Sequence, residues 1–74
     1  MNADADILCI LDINGNRALF VVLDNGYQAR MHDGRVADHW TEPGILENII
    51  PRLNVQHRTN DDAAAGRWLR GGAL

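Results

Sequence analysis

Residues 7–40, ILCILDINGNRALFVVLDNGYQARMHDGRVADHW, decide the fold. Three dipeptides in this stretch, Asn14-Gly15, Asn25-Gly26 and Asp33-Gly34, separate four short runs rich in apolar residues. Asn, Asp and Gly best tolerate φ > 0 at the two central positions of a type I′ turn. The stretch therefore predicts four antiparallel strands joined by three two-residue loops.

A two-residue loop pairs the residues that flank it, and the period of two carries the register along both strands. The first turn then sets Ile13 against Asn16, Leu11 against Ala18, Cys9 against Phe20 and Ile7 against Val22. The second sets Asp24 against Tyr27, Val22 against Ala29 and Phe20 against Met31. The third sets His32 against Arg35, Met31 against Val36 and Tyr27 against Trp40. One face so built carries Ile7, Cys9, Leu11, Ala18, Phe20, Val22, Tyr27, Ala29, Met31, Val36 and Trp40. Asp38 interrupts it opposite Ala29, and either a polar partner or a bulge that turns it outward would accommodate it.

The opposite face divides. Its second half is polar, with Gln28, Arg30, His32, Arg35 and His39. Its first half collects Leu8, Ile10, Leu19, Val21 and Leu23, an apolar patch of a size that monomers rarely leave bare. Three covers are compatible with it: a helix folded back from the C-terminal third, a second copy of the chain in a homodimer, or a protein partner.

Downstream of the meander, Thr41-Glu42-Pro43 resembles a helix start, with a cap candidate, an acid and a proline in the first turn. Ile45, Leu46, Ile49, Ile50 and Leu53 make one apolar helical stripe, and Pro51 should end the helix near Ile50. This helix is expected to lie across the first sheet face. Residues 53–59 alternate for half their length and read as a short fifth strand or an extended connection. Asn60-Asp61-Asp62 opens a second, C-terminal helix, with Asn60 as cap and Ala64, Ala65, Trp68 and Leu69 as its buried stripe. Gly71 fits the left-handed stop position. The fold class is α+β: a four-stranded antiparallel meander, with a fifth strand left open, one helix on a face and a second at the C-terminus, all in a single domain spanning residues 1–74.

Composition bounds the function. A chain of 74 residues buries a thin core, and a single cysteine excludes an intrachain disulfide. With no zinc-type spacing either, a homodimer is the remaining way to reinforce it. The longest apolar run is too short to span a membrane, and the acidic N-terminus is unlike a secretory leader, which suggests a soluble cytoplasmic protein. Ten acids against seven arginines give −3 overall. Residues 1–50 carry −5 and residues 51–74 carry +2. An acidic surface repels nucleic acid and suits a basic protein cleft.

Chemistry-bearing residues are sparse. Cys9 lies mid-strand and reads as a small hydrophobe rather than a nucleophile. His32 and His39 share a face but stand about 13 Å apart at strand rise, too far to bind one metal ion. His57 has no partner in the pattern. Arg52, Arg58, Arg67 and Arg70 could form a basic patch for phosphates, and contact through Arg58, Arg67 and Arg70 would make the chain a homodimeric nucleic-acid-binding regulator. The acids Asp12, Asp24, Asp33, Asp38, Glu42 and Glu47 fall at turns and strand ends, where they could mimic a phosphate backbone, with the apolar patch Leu8, Ile10, Leu19, Val21 and Leu23 as contact area. No enzyme activity, metal or cofactor is expected.

In size, acidity and compact α+β pattern the chain resembles the small anti-CRISPR proteins of phages and mobile elements. That family shares no common motif, so the resemblance carries over no functional residue. It implies binding to a bacterial CRISPR effector subunit and a block of DNA recognition. An accessory subunit of a phage or bacterial assembly is the further alternative.

Overall fold

A computed structural model describes residues 6–23, 26–31, 36–40 and 48–74, with the backbone alone described for Met31 and for Val36–Trp40. Five antiparallel strands form one sheet: β1 (Asp6–Leu11), β2 (Arg17–Leu23), β3 (Gly26–Met31), β4 (Val36–Trp40) and β5 (Asn54–Thr59). Their spatial order is β4-β3-β2-β1-β5, so the meander is intact and the fifth strand joins it beside β1. One helix, α1 (Asp62–Leu69), packs on the sheet. The other expected helix falls mostly on residues 41–47, outside the described residues. Residues 48–49 are helical, and the segment closes in a 3-10 turn, Ile50–Arg52.

The first hairpin corrects the expected register. Asn14-Gly15 is not a two-residue loop. The Asp12 N–H donates to the Asn16 carbonyl at 2.9 Å, and the Gly15 N–H donates to the Asp12 carbonyl at 2.9 Å. This is a type I turn followed by Gly15 in the left-handed region, at φ 82°. The loop is therefore Ile13-Asn14-Gly15, one residue longer than expected. Leu8 pairs with Phe20, Cys9 with Leu19 and Ile7 with Val21. A shift of one residue moves every β1 side chain to the other face.

The remaining registers depart less. Leu23 pairs with Gly26 and Val22 with Tyr27, a shift of two residues from the expected pairing, which leaves each side chain on its face. Tyr27 pairs with Trp40 and Ala29 with Asp38 as expected, but Arg30 rather than Met31 meets Val36, across an irregularity after Ala29. The expected His32–Arg35 turn lies outside the described residues. β5 pairs Cys9 with His57 and Ile10 with Val55, and the register slips between them at a bulge.

The sheet is consequently buried on both sides. On one, Ile7, Cys9, Leu19 and Val21 lie under Ala65 and Trp68, with Leu11, Leu23 and Leu69 at the margin. On the other, Leu8, Phe20 and Tyr27 lie under Ile49, Ile50 and Leu53, joined by Ile10 and Val22. The rings of Phe20 and Tyr27 stack at 4.3 Å. The expected single patch of Leu8, Ile10, Leu19, Val21 and Leu23 does not exist. Leu8 and Ile10 belong to one face and Leu19, Val21 and Leu23 to the other, and both are covered by the chain itself.

At eight residues, α1 is too short to persist alone, and its ends are fastened. Asp61, not Asn60, is the cap: its carboxylate accepts from the N–H groups of Ala63 at 3.0 Å and Ala64 at 3.2 Å. Thr59 Oγ1 accepts from the Asp61 N–H at 3.0 Å, so the strand end holds the cap in place. At the far end Gly71 adopts φ 99° and donates to the Trp68 carbonyl, while Gly72 donates to the Arg67 carbonyl, both at 2.9 Å. That pair of bonds is a Schellman stop. The interior Gly66 has no such duty. A methyl there would meet only the tip of the Arg70 side chain, at 3.4 Å. Gly66→Ala is therefore expected to stabilise the protein by about 0.5–1 kcal/mol, read as a raised midpoint in urea, because alanine loses less backbone freedom in a helix.

Candidate functional site

Three arginines have partners within the chain. Arg17 opens β2 and reaches the C-terminus of α1. Its Nη1 donates to the Trp68 carbonyl at 2.6 Å and the Gly72 carbonyl at 2.9 Å. Its guanidinium lies 4.7 Å from the centre of the Trp68 ring. The last carbonyls of a helix lack intrahelical donors and carry partial negative charge, so a cation there satisfies both needs. Nothing in the sequence marks this role beyond a charged residue at the start of an apolar strand. Arg17→Ala should cost about 2 kcal/mol of stability in a denaturant titration, the scale of a lost charge-assisted hydrogen bond. Arg17→Lys should recover part of that loss, since it keeps the charge without the planar fork.

Arg30 Nε donates to the Gln28 side chain at 2.8 Å, and Arg30 pairs with Asp62 at 3.4 Å. Arg58 pairs with Asp6 across the β1–β5 ladder, its Nε donating to both carboxylate oxygens at 2.9 Å. The hydrogen bond from Arg58 holds the Asp6 carboxyl below its ordinary value, and Asp6 raises Arg58 in turn. Arg58 stands opposite Leu8, on the face of the sheet away from α1. Arg67 and Arg70 belong to the end of α1, on the other side. Of the four arginines expected to share a phosphate-binding patch, Arg58 is thus not brought together with Arg67 and Arg70.

Among the expected acidic residues, Asp12 is the one whose side chain is described. It braces the first hairpin. Oδ1 accepts from the N–H groups of Asn14 and Asn16, each at 2.8 Å, and Oδ2 accepts from Asn16 Nδ2 at 3.4 Å. These bonds, led by that from the Asn16 backbone, hold its carboxyl below the ordinary range. Asp24, Asp33, Glu42, Glu47 and the side chain of Asp38 lie outside the described residues. Leu23 and Gly26, which bracket Asp24, stand at the opposite end of the sheet from Asp12.

Asp6 and Asp12 give a pH dependence whose sign follows from their shifts. Both carboxyls are lowered from 3.8 in the folded chain. The unfolded chain takes up these protons first as pH falls. Their contribution is full above the ordinary carboxylate value and is lost as pH drops through the lower folded values. Asp6→Asn with Asp12→Asn should flatten the acid limb of a stability–pH curve measured by thermal melting.

The fold also sets a cysteine beside a histidine. Cys9 and His57 face each other across β1 and β5. They do not make a nucleophilic dyad. Cys9 is 0% exposed beneath Ala65 and Trp68, and burial pushes its thiol up, away from the reactive thiolate. The His57 ring sits edge-on to Trp68 at 6.2 Å. Among the described residues, no group of three or more His, Cys, Asp and Glu could hold a metal ion. The described part of the chain contains no helix long and apolar enough to cross a membrane.

The outstanding surface feature is Ile13. It occupies the second position of the turn braced by Asp12 and is 98% exposed. With Ile10, Leu11, Asp12, Arg52, Leu53 and Asn54 it lines an open groove. Comparison of the chain with protein family models, with curated proteins and with solved structures found no match.

Proposed function

We propose that the chain is a small acidic protein-binding module that acts by stoichiometric occupancy. Its target is a nucleic-acid-handling bacterial complex, of which a CRISPR effector subunit with a basic cleft is the form implied by the resemblance. The supporting observation is the distribution of charge. Arg17, Arg30 and Arg58 have partners within the chain, two of them the carboxylates of Asp62 and Asp6, and the Asp12 carboxyl is held below the ordinary range by its own turn at an exposed hairpin. Together with an overall charge of −3, this favours a basic protein over DNA or RNA as partner. Division of Arg58 from Arg67 and Arg70 weighs against the nucleic-acid-binding regulator, which needs them on one surface.

A mobility-shift titration tests the reading. The chain alone should leave labelled DNA unshifted at low salt. Added to purified CRISPR effector complexes, it should abolish the effector–DNA band of one of them at about one equivalent, less effectively as salt rises. A DNA shift by the chain alone that disappears in Arg67→Ala/Arg70→Ala would replace this reading with the regulator. Unaltered DNA binding by every effector tested would count against the CRISPR partner.

A further inference from the structure

A hairpin tip seldom carries a large aliphatic side chain without contacts. The first position inside a type I turn accepts most residue types, so the turn itself does not require isoleucine at position 13. At 98% exposure, Ile13 contributes nothing to the packing of its own chain. Yet its position is held firmly. Asp12 accepts from the backbone on the far side of the loop, and two backbone bonds close it. An apolar anchor on a preorganised loop loses little freedom on binding.

The surface beside the anchor supplies what such an anchor would fit. Ile13 forms one wall of a groove that Ile10, Leu11, Asp12, Arg52 and Leu53 also line. Val55 extends the apolar surface, being 40% exposed and paired with Ile10. A knob, a groove, an acid and a base thus share one patch. An isologous interface requires that combination, since a twofold axis places each element against its complement in the other copy.

We infer that this patch is a twofold interface with a second copy of the chain, Ile13 of each protomer entering the groove of the other and Asp12 facing Arg52 across the axis. Charge complementarity within the patch selects a second copy over an unrelated partner. The patch has far fewer residues than the roughly 20–30 a side of a standard interface, so the dimer is a weak one that forms as concentration rises. This inference uses the same Asp12 hairpin as the inhibitor reading, so a protein target there would compete with the second copy; sedimentation reads the one and the mobility shift the other.

Sedimentation velocity across micromolar to millimolar concentrations tests it, with NMR shifts recorded over the same range. The mass should rise toward a dimer, with concentration-dependent shifts centred on Ile13, Arg52 and Leu53. Ile13→Asp, which removes no intrachain packing, should weaken association by about tenfold or more while the thermal melt of the dilute protein stays unchanged. Arg52→Glu should weaken it as well, and added salt should weaken the parent dimer more than the Arg52→Glu form. A strict monomer at every concentration would overturn the inference and leave the hairpin to a different protein. A dimer that persists undiminished in Ile13→Asp would overturn it too, since association would then use another surface, such as the exposed edge of β5.

Discussion

Trp68→Ala is expected to remove most of the stability of the protein. Trp68 is 3% exposed and closes the helix-side core over Ile7, Cys9, Leu19 and Val21. Its ring also supports the Arg17 guanidinium and meets the edge of His57. Large-to-small replacement of a buried aromatic costs about 3–5 kcal/mol, from lost transfer energy and the cavity left behind. A domain of 74 residues has a total stability of only about 4–11 kcal/mol. In this helix of eight residues Trp68 is the one large buried side chain, beside the small Ala64 and Ala65. The variant should therefore show a steep fall in urea midpoint, together with rapid labelling of Cys9 by a thiol reagent. The parent thiol should react only on the timescale of opening. A loss below about 1 kcal/mol would mean that α1 does not seal this face.

Phe20→Ala should do comparable damage from the other side. Phe20 is 2% exposed, stacks on Tyr27, and lies with Leu8 under Ile49, Ile50 and Leu53. The expected loss is again about 3–5 kcal/mol, with the aromatic pair adding to the burial term. The two variants are most informative together. A sheet with one buried face and one open face would tolerate truncation on the open side. Two large losses from residues on opposite faces require both faces to be covered. Urea titrations of both variants beside the parent chain, compared at equal m-value, give that comparison directly.

The difference between the expected and observed first hairpin comes down to Asp12. Asn14-Gly15 is compatible with a two-residue type I′ loop and with a type I turn closed by glycine. An acid at the first position and glycine at the fourth belong to the second of these, and the Asp12 carboxylate is what secures it. Hydrophobic periodicity could not have exposed the error. Residues 7–11, ILCIL, are apolar at every position, so β1 satisfies either face and a one-residue slip leaves the pattern equally plausible. Where a strand alternates, as β3 does in Tyr27-Gln28-Ala29-Arg30, the face was legible even though the register moved by two residues.

The C-terminal helix was legible for a different reason. The acidic start, the alanine run and Gly71 each act locally, so the helix follows from neighbours in sequence. Only the cap moved, from Asn60 to Asp61, because Thr59 orients the later residue. The stripe Ala64, Ala65, Trp68 and Leu69 is the one that packs. Long-range polar contacts were not legible. Arg17 acts on carbonyls more than fifty residues away, and Asp6 meets Arg58 only because β5 joins beside β1. Those contacts changed the functional picture more than any motif did. They remove Arg17, Arg30 and Arg58 from the cations free to meet a phosphate and leave the ionised Asp12 hairpin as the surface to explain.

The central claim is that a three-residue first loop flips β1, so that the chain covers both faces of its own sheet. Cross-strand Hα–Hα contacts in an NMR spectrum test it most directly. The Asp12 N–H bonds the Asn16 carbonyl, and hydrogen-bonded and non-hydrogen-bonded pairs alternate from there along an antiparallel ladder. The close Hα pairs should therefore be Leu11–Arg17, Cys9–Leu19 and Ile7–Val21. Finding instead close Hα pairs at Ile10–Leu19 and Leu8–Val21, the non-hydrogen-bonded positions of the register set by a two-residue loop, would restore that loop and contradict the account.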